Sequence, residues 1–122
     1  MSKKALILTW EKYQDHEVIY PYYRVQEDGF EVDIMTNILG RVNGYLGTYN
    51  ESTKLVTDLD DPQQFDAYMK QYSLLIIPGG VKALEYLRQQ TNALRFISEW
   101  NDNGKVIGCI CHGAQLLISA KI

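Results

Sequence analysis

Residues 106–118 read Val-Ile-Gly-Cys-Ile-Cys-His-Gly-Ala-Gln-Leu-Leu-Ile. An apolar lead-in is followed by a corner carrying a thiol and an imidazole, and then by a helical run. A strand that ends, turns sharply and becomes a helix is how a nucleophile elbow presents a side chain above a parallel sheet. Cys109-x-Cys111-x-Gly113 has the elbow spacing, with cysteine where a first glycine often stands; that position needs only a small residue. A corner of this kind constrains the remaining chain. It has to supply a parallel sheet, helices to cover it, and loops at the same sheet edge.

The order of the remaining segments meets that requirement. Residues 4–10 read as a strand buried on both faces. A polar loop covers 11–15, and helical spacing runs from about Glu17 to Glu27, with Val18, Tyr22 and Val25 near one face. Asp15 is the expected N-cap and Gly29 the expected stop, while Pro21 should tighten or kink this helix early. Residues 30–36 alternate as a second strand, so the first unit is a right-handed parallel crossover. Residues 37–57 read as turns with a short hairpin or edge strand ending near 55–57. Their spaced glycines open no helix and so form no dinucleotide fingerprint.

Asp61-Pro62 is a helix start, and the helix runs to about Tyr72. Leu74–Ile77 is a third buried strand, ended by Pro78-Gly79-Gly80. Residues 82–102 form helix, broken near 91–92, with Leu84, Leu87, Leu94, Ile97 and Trp100 as the buried stripe and Asn103-Gly104 as its close. Val106–Ile110 is a fourth strand. The alternation predicts an α/β protein with a doubly wound, mostly parallel sheet. Three features fall at carboxyl ends of strands, where such sheets collect ligands: the loop after Trp10, the Gly79-Gly80 turn and Cys111.

Gross properties narrow the class. The 122 residues suffice for one domain, and 46% hydrophobic with 22% charged content describes a soluble globular chain. A net charge of −3 offers no electrostatic footprint for nucleic acid or an anionic membrane. No apolar run approaches a membrane span, and the N-terminal apolar stretch is too short for a signal peptide. Two cysteines one residue apart in a strand face opposite ways, which disfavours a mutual disulfide and suits a reduced, cytoplasmic protein. Nine tyrosines hint at oligomer contacts.

Each candidate group has a plain alternative. Cys111 by itself would be a small buried hydrophobe, the assignment kept for Cys109. Beside His112, Gly113 and a helix start, however, thiolate is favoured. His112 is either a surface histidine or, at a strained turn, the base that meets the thiol. Glu17 is either solvated or, over the edge where Cys111 emerges, a protonated acid that donates a hydrogen bond to the thiolate. Glu85 alone reads as a surface acid, and His16 as a solvated or helix-start residue. The backbone N–H groups of Gly80 and His112 would form an oxyanion hole. With Cys109 assigned to the core, one cysteine, two histidines and no ligand spacing argue against zinc or another metal, and no cofactor is expected.

Taken together, Ile107–Ala120, Asp15-His16-Glu17-Val18-Ile19-Tyr20-Pro21-Tyr22-Tyr23-Arg24 and Ile77-Pro78-Gly79-Gly80 resemble the motifs of the PfpI subfamily of the ThiJ/PfpI superfamily. The resemblance implies a flavodoxin-like, class I glutamine amidotransferase-like fold in three α/β/α layers. It implies a cysteine hydrolase-type site with Cys111 as nucleophile, His112 as base or orienter, Glu17 tuning the thiol, and Glu85 as the acid that completes the triad across a subunit interface. Such proteins are described as intracellular proteases, and as glyoxalase or protein deglycase enzymes acting on methylglyoxal and its adducts. They are commonly dimers or hexamers, which implies self-association and a small aldehyde or peptide substrate. The alternative is a non-enzymatic redox or stress-response protein sensing oxidation at Cys111.

Two departures stand out. Family members often carry an acid where Gln14 stands. They also continue past residue 122 with further strands and a final helix, so residues 1–122 read as one PfpI-like domain short of the C-terminal part of the fold. A fragment, a second chain completing the fold and a shortened relative are the three readings of this. Each leaves one side of the sheet bare within these residues.

Overall fold

A computed structural model describes residues 3–121 of the chain. Strand β1 (Lys4–Leu8) is followed by helix α1 (Asp15–Glu27) and strand β2 (Glu31–Thr36). A hairpin of β3 (Gly40–Asn43) and β4 (Tyr49–Ser52) comes next, then a short strand β5 (Lys54–Leu55) and a 3-10 turn over 56–60. Helix α2 (Pro62–Gln71) leads to β6 (Leu74–Ile77), α3 (Val81–Leu87) and α4 (Thr91–Asp102). Strand β7 (Val106–Cys109), a 3-10 turn over 111–113 and helix α5 (Ala114–Ser119) close the described chain.

Five strands pair in the order β5-β2-β1-β6-β7, every pair parallel, and β3-β4 forms a separate antiparallel ribbon. The chain winds outward from β1 through β2 to β5, then crosses back to β6 and β7 on the other side of β1. The switch point therefore lies between the carboxyl ends of β1 and β6, where a crevice opens in such sheets. The residues after these two strands and after β7 share that edge.

Strand alternation divides the core in two. Leu6, Leu8, Leu75 and Ile77 point to the face covered by α2, α3, α4 and α5, where Phe65, Phe96, Ile97 and Trp100 are buried. Ile7, Ile34 and Ile76 point to the face covered by α1 and the hairpin, through Val18, Val42 and Tyr13. Each buried aliphatic side chain contributes about 1.5–3 kcal/mol. These two faces give the three layers. The expected stripe of Leu84, Leu87, Ile97 and Trp100 is buried, with Leu94 packed at its margin. Over β7 the α1-side face is open among the described residues: Val106 is 64% exposed, and nothing lies within 4 Å of a Cβ built on Gly108.

Most local signals hold, although β1 and β7 end earlier than expected and α1 begins earlier. Asp61 caps α2 by accepting from the Gln63 N–H at 3.1 Å, with Pro62 in the first helical position. Gly29 and Gly104 take positive φ just past their helices. Helix α1 runs on through Pro21, which is buried. Asp15, however, is not the cap of α1. Gln14 occupies that position, without a side-chain cap bond. The Asp15 carboxylate is 1% exposed and turns to the hairpin, where it accepts from the N–H groups of Leu46 (2.7 Å) and Thr48 (3.0 Å) and from the Thr48 hydroxyl. Three donors converging from one turn outcompete the single helix N–H that a cap would satisfy. The break between α3 and α4 falls at 88–90, just before the expected 91–92.

Burial pushes the Asp15 pKa up, but the hydrogen bonds from Thr48 and Leu46 outweigh it, and the carboxyl sits below its ordinary value. A carboxyl depressed in the folded state contributes stability that is fully present above its unfolded pKa of about 4 and is lost as pH falls through the folded value. Asp15→Asn removes an acceptor for buried donors and should cost about 1–3 kcal/mol at neutral pH. Urea unfolding at neutral pH and below about pH 4 checks this: the gap between wild type and variant should narrow on the acid side.

Candidate active site

The corner after β7 is built against β6. The Ile110 N–H donates to the Ile77 carbonyl at 3.1 Å, extending the β6–β7 ladder by one residue. The Gly113 N–H then donates to the Ile110 carbonyl at 2.9 Å, closing the turn. Gly113 lies so close to β6 that an added Cβ would collide with the Ile77 carbonyl oxygen, so no larger residue fits. Between these two anchors the chain has no room to turn in an ordinary conformation, and Cys111 is forced to φ +53°, a region that costs a non-glycine residue about 1–2 kcal/mol.

That conformation sets the Cys111 sulfur 3.5 Å from Nδ1 of His112, with both residues exposed. Either a neutral Nδ1 accepts from the thiol or an imidazolium Nδ1–H donates to the thiolate. Adjacent residues on a regular strand or helix diverge, and the strained corner is what lets this pair meet. Cys109, two residues earlier, is half-buried against the α2–α5 face, and burial pushes its thiol up, away from thiolate. Both cysteines are free.

The remaining expected partners divide. Glu17 reaches the corner from the first turn of α1. Its Oε1 accepts from the Gly79 N–H at 2.7 Å, and a Cβ on Gly79 would strike that oxygen and come within 3.2 Å of the Ile110 carbonyl. Gly79 is thus wedged between Glu17 and the elbow. Among the described residues no hydrogen bond joins Glu17 to the Cys111 sulfur; the carboxylate acts as an acceptor toward the turn. Gly80 has φ +118°, and a Cβ there would come within 2.7 Å of the Gln14 nitrogen. Its N–H has no acceptor among the described residues. Gln14 contributes its backbone, donating to the Gly79 carbonyl at 3.2 Å.

Glu85 is not brought to His112 within the chain. It is exposed on α3 and held by Arg88 through bonds of 2.7 and 3.0 Å, and the Arg88 guanidinium keeps its carboxyl below the ordinary range. His16 is exposed on α1, beside an open groove with Tyr20, Tyr23 and Arg24. Among the described residues no cluster of three or more His, Cys, Asp or Glu side chains is placed to hold a metal, and no helix is long and apolar enough to cross a membrane.

Apart from one trace, the clamp behind the site was not legible in the sequence. Tyr13 is fully buried, donates to the Val42 carbonyl at 3.3 Å and accepts from Asn50 at 3.0 Å. The Tyr45 N–H donates to the Tyr13 carbonyl at 2.8 Å, and the Lys12 N–H to the Asn43 carbonyl at 2.8 Å. With Asp15, these contacts tie the loop after β1 to a hairpin about thirty residues away in sequence. Gly44 against the Asp15 carboxylate was the one legible trace: a side chain there would strike it.

Comparison with known proteins identifies the family. The DJ-1/PfpI family profile matches residues 3–122, and the chain belongs to that family. Deglycase PH1704 of Pyrococcus horikoshii is 38% identical and deglycase TK1284 of Thermococcus kodakarensis 37% identical, each over 98% of this chain. The chain spans 66% of the length of each of these relatives, just under two thirds. Among solved structures, a two-domain protein of Anabaena variabilis with DJ-1/ThiJ/PfpI-like and ferritin-like domains superposes with a TM-score of 0.82 at 28% identity, covering 98% of this chain and 32% of that one.

The strain at Cys111 is measurable. Cys111→Gly and Cys111→Ala both remove the thiol, but only glycine relaxes the left-handed backbone. The glycine variant should be the more stable of the two by about 1 kcal/mol in urea unfolding.

Proposed function

We propose that the chain carries the nucleophile site of a cysteine-dependent hydrolase of the glyoxalase or protein deglycase type, with Cys111 as nucleophile. The observation that supports it most is the Cys111 sulfur 3.5 Å from His112 Nδ1, at a corner held in a strained conformation by β6. The deglycase names of PH1704 and TK1284 favour this reaction over peptide hydrolysis. In the proposed step His112 takes the thiol proton, and the thiolate adds to a carbonyl carbon. The carbonyl electron pair moves to oxygen, where the backbone N–H groups of Gly80 and His112 donate to it. Glu17 acts as a positioning residue, since it fixes the Gly79-Gly80 turn through the Gly79 N–H.

Turnover of methylglyoxal, of its adducts and of a fluorogenic peptide by wild type, Cys111→Ser and His112→Ala tests the reading. Cys111→Ser should fall to background and His112→Ala should lose about 10²–10⁴-fold. Activity surviving in Cys111→Ser would remove the proposal.

The exposure of Cys111 supports a second reading, a redox sensor in which the thiolate is oxidised to sulfenic or sulfinic acid. Peroxide-dependent mass gain at Cys111 with no turnover of any of the three substrates is its signature.

Members of the DJ-1/PfpI family oligomerise, and we propose that this chain does so with Glu85 meeting the Cys111–His112 pair of a neighbouring copy. The Glu85 carboxylate is exposed and, among the described residues, engaged only by Arg88, which leaves it available to an approaching subunit. Subunit complementation tests this. Cys111→Ser and Glu85→Gln should each be inactive alone and regain activity when mixed and re-associated. No recovery would place Glu85 outside the site.

A further inference from the structure

Next to the Gly79-Gly80 turn, at the carboxyl ends of β1 and β6, lies a cavity of about 310 Å³ lined by Lys12, Gln14, Tyr45, Gly80, Val81 and Lys82. Among the described residues no carboxylate lines it. A neighbouring hollow of about 420 Å³ shares Lys12 and Lys82 and adds Glu11, whose Oε1 already accepts from the Asn37 amide at 3.1 Å. Among the described residues neither lysine forms an ion pair. On a chain of net charge −3, two unpaired ammonium groups around one cavity make a local positive site.

Both lysines are exposed, with the Lys12 backbone fixed and the Lys82 ammonium over an aromatic ring. Lys12 sits at φ +70°, where glycine or asparagine would be less strained, and is fixed there by its N–H bond to the Asn43 carbonyl. Lys82 extends over the Tyr45 ring, its nitrogen 5.6 Å from the ring centre. Tyr45 and the 66% exposed Val81 supply apolar wall. Gly80 also lines it, with an N–H that lacks an acceptor among the described residues and that would donate to the carbonyl oxygen of the substrate.

We propose that this cavity binds the anionic end of the substrate, a carboxylate or phosphate, while the reacting carbonyl lies at Cys111. The inference rests on the hydrolase reading and narrows its substrate class to carbonyl compounds or adducts that carry an oxyanion a few bonds from the carbonyl. Two lysines act as point charges that take either anion, and Tyr45 and Val81 take the carbon chain between.

The experiment pairs substrates that differ only in charge. The methylglyoxal hemithioacetals of N-acetylcysteine and of N-acetylcysteine amide are compared on wild type and on Lys12→Gln/Lys82→Gln. Wild type should prefer the carboxylate substrate about ten-fold or more in kcat/KM, through KM, and the double variant should bring the ratio near one. Equal kcat/KM for the two substrates in wild type, or a preference that persists in the variant, overturns the proposal. A second arm needs no turnover: acetate and inorganic phosphate are titrated separately while the Gly80 and Val81 amide resonances are followed. Saturable shifts in wild type that vanish in the double variant support the anion site even if neither adduct is turned over, an outcome that would count against the hydrolase reading alone. Absence of shifts with both anions overturns the site. The anion that binds more tightly tells a carboxylate source from a phosphate source.

Discussion

The approach of Gly113 to the Ile77 carbonyl is the contact on which the sheet edge depends. Parallel pairing of β6 with β7 brings residue 109 level with residue 77, and the Ile110 N–H takes the last ladder bond. From there the chain must leave the sheet and start a helix without moving away from β6. A residue with no side chain at 113 lets it do so, and the backbone distortion falls on Cys111. The distortion in turn brings thiol and imidazole together, because side chains of neighbouring residues converge only where the backbone is neither strand nor helix. Packing, strain and chemistry at this corner are therefore one arrangement, set by a single close approach.

Much of this was readable in the residues. The buried runs Lys4–Leu8 and Leu74–Ile77 and the alternation of Glu31–Thr36 gave the strands their places, and the corner at Cys111 announced itself by spacing. The doubly wound topology followed from element order, as parallel crossovers allow few alternatives. Side-chain choices made across long loops were not readable. Asp15 stands where a helix cap is usual, and only the folded hairpin reveals three better donors. Glu17 was expected at the thiol, and nothing in the sequence signalled that its Oε1 would also accept from the backbone N–H of Gly79. Lys12 carried no signal, since nothing in a sequence marks a lysine destined for a left-handed turn.

The two halves of the sheet edge differ in how they are held. The corner at Cys111 is fixed by backbone against backbone, through Ile77, Ile110 and Gly113. The loop after β1 is fixed by polar side chains, through Tyr13 and Asp15 to the hairpin. The first has no titrating side chain among its anchors. The second depends on a carboxylate remaining ionised, which links one wall of the crevice to proton concentration while leaving the nucleophile's own support untouched.

The hairpin that carries this clamp forms its own two-stranded ribbon, joined to the molecule by the loop it holds, by the buried Val42, and by Ser52, whose hydroxyl donates to the Ile34 carbonyl at 3.2 Å and accepts from the Thr36 hydroxyl at 2.9 Å. Two-stranded ribbons are marginal in water by themselves, so this one stands only while those contacts hold, and losing them opens it before the five-stranded sheet. When it opens, the loop after β1 loses its anchors, and the Gly79-Gly80 turn loses the support that Gln14 gives it. The crevice can therefore be lost in brief, partial excursions while the five-stranded sheet and the corner at residue 111 stay intact. Amide exchange across residues 10–15 and 40–52 should then proceed as a single cooperative unit, separate from the strands beneath it.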